Sequence, residues 1–98
     1  MNSDAVKAML LPHEAELKND GIASLSIFGS VARGQATEYS DVDLLSDFDV
    51  DRRLTAFDKA GREVRISEIL HIPVELCDRR LMKDDVRVRA EREAVLVF

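Results

Sequence analysis

The chain has 98 residues, 46% hydrophobic and 34% charged, with 19 acidic and 14 basic side chains giving a formal net charge of -5. That length holds one core, so residues 1–98 read as a single domain, and the acidic balance without a basic tract disfavours free binding to nucleic acid, whose phosphates it would repel. No apolar stretch reaches the length of a membrane span, Met1 to Asp20 lacks the pattern of a signal peptide, and the single cysteine, Cys77, has no partner for an internal disulfide, so the cytoplasm is the expected compartment.

Ser3 to Asn19 reads as helical, because Val6, Met9, Leu10 and Leu17 recur at spacings that give one apolar face. Pro12 interrupts it and predicts either a kink or two short helices with the proline in the first turn of the second. Asn19-Asp20-Gly21 is a stop signal. His13, beside Pro12, reads as a surface residue, since nothing ligand-like surrounds it.

Ile22 to Phe28 alternates as a first strand and Asp43 to Val50 as a second, with Gln35 to Tyr39 as a polar loop before the latter. Chemistry gathers at the two facing ends. Gly29 lets the backbone bend sharply after the first strand and lets an anion approach the main chain. Ser30 adds a hydroxyl. If Ser30 to Arg33 form a helical turn, their unpaired N–H groups suit a phosphate, and Arg33 adds a forked cationic donor. Asp41 and Asp43, two apart on a strand, leave the same face roughly 7 Å apart at the backbone, so one divalent ion can lie between them. A phosphate cradle facing hard-oxygen ligands is what Mg²⁺ bound to a nucleoside triphosphate requires. Asp47, Asp49 and Asp51 read instead as a charged strand edge running into a loop, although further metal ligation is an alternative.

Leu54 to Leu70 reads as a helix with Leu54, Phe57, Val64 and Ile69 on the buried side, and with Gly61 marking a bend or a close contact. His71-Ile72-Pro73 ends it, His71 being a boundary residue rather than a base. Val74 to Cys77 is a short third strand in which Glu75 is conspicuous among apolar neighbours. Asp78 to Met82 is a turn. Asp84 to Glu93 is a charged helix with Val86 and Ala90 inward. Arg79, Arg80, Arg87, Arg89 and Arg92 read as solvated, with an anionic ligand or a partner as the alternative. Ala94 to Phe98 is a fourth strand or an apolar tail packed on the core.

Phe28-Gly29-Ser30-Val31-Ala32-Arg33-Gly34 and, ten residues after Ser30, Asp41-Val42-Asp43 within Ser40 to Leu44, together resemble the signature of the minimal nucleotidyltransferases (MNT domains) of the DNA polymerase beta-like superfamily. Both halves at the right spacing are far more specific than either alone. The resemblance covers nearly the whole chain and implies the nucleotidyltransferase fold, an α/β (α+β) domain. Its small mixed sheet carries helices mainly on one face, in the order helix, strand, short helix, strand, helix, strand, helix and tail.

The resemblance further implies two Mg²⁺ ions on Asp41, Asp43 and a third carboxylate, where this chain has Glu75 in place of the family's usual aspartate. It also implies ATP as substrate at Gly29, Ser30 and Arg33. Larger relatives add a second domain to hold the acceptor, so another chain is expected to hold it here. Stand-alone MNT domains are similar to antitoxins paired with helical HEPN-type toxins, which implies AMP transfer to a tyrosine of that partner and a complex with it. Two other readings stand beside this one: an antitoxin that neutralises by binding alone, and the catalytic subunit of a small-molecule nucleotidyltransferase.

Overall fold

A computed structural model of the chain describes residues 1–51 and 55–98. The first helical stretch is divided as Pro12 predicts: α1 (Ser3–Leu10), a 3-10 turn over Leu11–His13 with the proline in it, then α2 (Glu14–Asn19). Gly21, at φ 97°, makes the turn out of α2 into β1 (Ile22–Phe28). One helical turn, α3 (Gly29–Ala32), leads by way of a loop to β2 (Val42–Phe48). Then follow α4 (Ala56–Leu70), β3 (Val74–Asp78), a 3-10 turn over Arg79–Leu81, α5 (Asp84–Glu93) and β4 (Val95–Leu96). The tail is thus a strand over Val95–Leu96, and beyond it Val97 and Phe98 pack on the core.

The sheet order is β3-β2-β1-β4, with β2 and β4 antiparallel to β1 and β3 parallel to β2. A parallel pair needs a long crossover, and α4 supplies it. Residues paired across the ladders share a face. Ile27, Leu44 and Leu76 lie on one, together with Val42 and Leu25, all fully buried against Val6, Leu10, Leu17, Ile66 and Leu70 of the first, second and fourth helices. Each such side chain contributes about 1.5–3 kcal/mol by leaving water. Phe28, Asp43 and Glu75 form a row on the opposite face, followed by Ser26, Leu45 and Cys77. That face is crossed by α5: Arg79 reaches from Asp47 on β2 (3.0 Å) to Glu91 on α5 (3.2 Å).

Several expectations need correcting. β2 ends at Phe48, so Val50 and Asp51 lie beyond it, and it is a central strand rather than an edge; Asp47 is held by Ser24 Oγ and Arg79 Nε. Phe57 and Val64 are 90% and 58% exposed. The stripe of α4 that meets the core runs through Ile66 and Leu70; at about 100° per residue, Phe57 and Val64 sit about 180–200° round the helix from Ile66. Gly61 meets nothing within 4 Å of where a Cβ would lie, so it makes no close contact. Leu54 lies outside the described residues. Val86 is half-exposed rather than inward, whereas Ala90 is buried.

Caps fix the ends of α4. Thr55 and Asp58 form a reciprocal capping box, Thr55 N–H donating to Asp58 Oδ2 (2.7 Å) and Asp58 N–H to Thr55 Oγ1 (3.2 Å). At the other end His71 takes the left-handed conformation (φ 61°), its N–H donating to Ser67 O at 2.7 Å. Glu63 faces the sheet and accepts from Leu76 N–H at 2.9 Å, which satisfies an outward amide of the edge strand β3.

Candidate active site

The end of β1 and the start of β2 meet in space because Phe28 and Asp43 are directly paired across the antiparallel ladder. Gly29, the next residue, has φ 72° and lies so close to the Asp43 carboxylate that a Cβ would collide with its Oδ2. Glycine is therefore required twice, by the left-handed backbone and by the approach of the carboxylate. Ser30 is half-buried in α3, and its carbonyl accepts from Gln35 N–H at 2.8 Å, which closes the turn after the glycine.

On the other side of Asp43, the parallel register sets Glu75 opposite it. The two residues are direct neighbours on the same face of the sheet. Burial first, then the charges of Glu75 and Asp41, push Asp43 above the ordinary carboxylate range, and Arg33 only partly offsets them. Asp41 stands just before β2 and is exposed, as is Glu75. The structure therefore joins Asp43 and Glu75 closely and brings Asp41 within electrostatic reach of them. Among the described residues no set of three or more His, Cys, Asp or Glu side chains is assembled to hold a metal ion. The donor chemistry nevertheless suits a hard divalent cation, because crowded carboxylate oxygens are its preferred ligands and the charge crowded at Asp43 is what it would relieve.

A cleft of about 230 Å³ opens beside this pair. One wall is Phe28, Gly29, Arg33 and Asp43; the other is α5, through Arg89 and Glu93. Arg33 does not reach into empty space. Its Nη1 donates to both oxygens of Glu93, at 3.2 and 3.0 Å, and Gly29 N–H donates to Glu93 Oε1 at 3.0 Å. Burial disfavours the Glu93 charge, but these donors outweigh it and hold its carboxyl below the usual range. Glu93 is the member of the site that sequence reading misses, and the sequence offers no signal for it, since it lies 64 residues from Gly29. Arg89, read as a solvated arginine, lines the cleft.

Comparison with known proteins agrees with this fold. The model of the nucleotidyltransferase domain family matches residues 13–97. The protein adenylyltransferase MntA of Thermococcus cleftensis is 32% identical over 95 residues, covering 96% of this chain and 94% of its own. A solved structure described as a candidate minimal nucleotidyltransferase superposes with a TM-score of 0.81 at 30% identity, over 97% of this chain and 95% of that one. The fold is also that of an MNT antitoxin solved in complex with the tri-AMPylated HEPN toxin of Shewanella oneidensis (TM-score 0.66, 14% identity, 94% and 71% covered). A family match over almost the full length, with a relative above 30% identity across nearly all of both chains, means that this chain belongs to the nucleotidyltransferase domain family and is a nucleotidyltransferase.

Proposed function

We propose that this nucleotidyltransferase moves AMP from ATP to a hydroxyl, that of a tyrosine, on a helical HEPN-type toxin, and thereby acts as its antitoxin. The observation that carries the proposal is the packing of Gly29 against Asp43. It sets the turn that begins at Gly29 beside the Asp43 carboxylate on one wall of the cleft, which supports a reading as transfer from a triphosphate. The name of the Thermococcus relative, a protein adenylyltransferase, supports the reaction, and the shared fold with an antitoxin held by an AMPylated toxin supports the partner.

In this reading Gly29 N–H, Ser30 and Arg33 take the phosphates, while Asp41, Asp43 and Glu75 would hold Mg²⁺. The metal, when bound, neutralises charge on the phosphates and lowers the pKa of the acceptor hydroxyl. The chain itself orients the triphosphate so that the acceptor oxygen attacks the α-phosphorus, pyrophosphate leaves, and the hydroxyl proton is given up towards the carboxylates. In this reading the acceptor enters by the cleft between the Gly29 turn and α5, since the core face of the sheet is filled by apolar side chains.

The reading is tested by incubating the chain and the product of its neighbouring gene with Mg²⁺ and ATP labelled at either the α- or the γ-phosphate. Label from the α position on a tyrosine of the partner, with release of pyrophosphate, is the expected result. Label from the γ position, or none on a partner that binds the chain, overturns it.

A further inference from the structure

We infer that Glu93 occupies the phosphate position of the cleft in the nucleotide-free chain and yields it when a triphosphate binds, so that this carboxylate sets the phosphate affinity of the site. The inference rests on the proposed function in taking Gly29 and Arg33 as phosphate ligands.

Glu93 engages the two donors that define the cradle. Gly29 has one N–H, and it is spent on Glu93 Oε1 at 3.0 Å; Arg33 Nη1 is spent on both carboxylate oxygens, at 3.2 and 3.0 Å. A carboxylate and a phosphate present the same kind of anionic acceptor to such donors. The two therefore exclude one another, because a single amide proton cannot serve both and two anions side by side repel. Glu93 comes from α5, across the cleft from the turn that it fills, and its side chain is 19% exposed against 45% for Arg33. The cradle is thus preformed around an internal anion instead of being left as bare donors.

The displaced carboxylate has a place to go. Arg89 lies one turn earlier on α5, at the i,i+4 spacing that lets side chains meet, and it lines the same cleft. Among the described residues it takes part in no ion pair, whereas Arg79 and Arg87 are engaged by Glu91. Exchange of Glu93 from Arg33 to Arg89 frees the cradle without leaving a charge unpaired.

Calorimetric titration of the full chain separates this role from a merely structural one. The titrants are Mg²⁺-ATP, tripolyphosphate and adenosine, applied to the native chain, Glu93→Gln and Glu93→Ala. Both variants should bind ATP and tripolyphosphate more tightly than the native chain, by about fivefold or more, a change of the size that losing one competing ionic contact brings. Adenosine, which has no phosphate, should be bound equally by all three, and the free variants should melt at lower temperature. Glu93→Gln keeps the size of the side chain and carries the test should the alanine variant not fold. Equal or weaker triphosphate binding by the variants, with the native chain binding normally, overturns the inference alone. Absence of triphosphate binding by all three chains overturns it together with the proposed function.

Discussion

Glu75 stands directly opposite Asp43 across the parallel β2–β3 ladder, and its charge adds to burial in raising the Asp43 pKa. The pair works against the fold. Because the Asp43 pKa is raised in the folded state, the native chain holds its proton to higher pH than the unfolded chain does. Stability is therefore lost as pH rises from the ordinary carboxylate value through the raised one, and the loss is complete above it. Asp43→Asn removes the charge, so in chelator it should melt at higher temperature than the native chain at pH 7 and at a similar temperature at pH 3. Calorimetry across that range checks it, and a variant less stable at pH 7 would contradict the assignment. A cost in stability at these positions is what a site kept for ligand binding leads one to expect.

Gly29→Ala should damage fold and site together. An L-residue at φ 72° costs about 1–2 kcal/mol from the backbone alone, and the added methyl would have to move the Asp43 carboxylate aside. The urea midpoint should fall, and protection of the fold by Mg²⁺-ATP should disappear even at temperatures where the variant is folded. Gly34→Ala is the control, having a similar φ of 71° but nothing within 4 Å of the added atom: it should show the backbone penalty and keep the nucleotide response.

Glu63→Ala should destabilise by about 1 kcal/mol, because Leu76 N–H loses its acceptor on the edge of the sheet. Chemical denaturation measures it. Faster amide exchange at Leu76 in the variant would tie the loss to that hydrogen bond, and an unchanged midpoint would mean that water replaces the carboxylate without cost.

His71→Gly should stabilise. The left-handed cap of α4 costs a histidine about 1–2 kcal/mol, of which the greater backbone freedom of glycine in the unfolded chain returns part, leaving a gain of about 0.5–1 kcal/mol. The same variant tests whether His71 has any part in the chemistry: nucleotide binding should be untouched.

What the sequence discloses here is whatever is decided locally. Ile22–Phe28 is bounded as expected because Gly21 and Gly29, both at positive φ, fix its ends, and Pro12 divides the first helix where its missing N–H requires. Gly29, Asp41 and Asp43 are legible for the same reason, being spaced along one strand-turn-strand unit. Glu75 stands out in the sequence as a carboxylate among apolar neighbours, but its place opposite Asp43 depends on the register that the α4 crossover sets. The exposure of Phe57 and Val64 is not legible in the sequence because α4 has apolar residues on two sides, and only the partners on β3 and α1 decide which side is covered. The Asp47–Arg79 and Glu93–Arg33 pairs span 32 and 60 residues, and no local pattern predicts them.

The most direct measurement of the central claim is the mass of the proposed HEPN-type partner toxin isolated from cells with the native chain and from cells with the double variant Asp41→Asn, Asp43→Asn. The substitutions keep size and shape while removing the carboxylate charges of Asp41 and Asp43 at the start of β2, so the complex should still form. With the native chain the toxin should be heavier by AMP on a tyrosine and inactive; with the variant it should be unmodified and active despite being bound. An unmodified toxin that the double variant nevertheless neutralises fully would contradict the account and assign protection to binding alone.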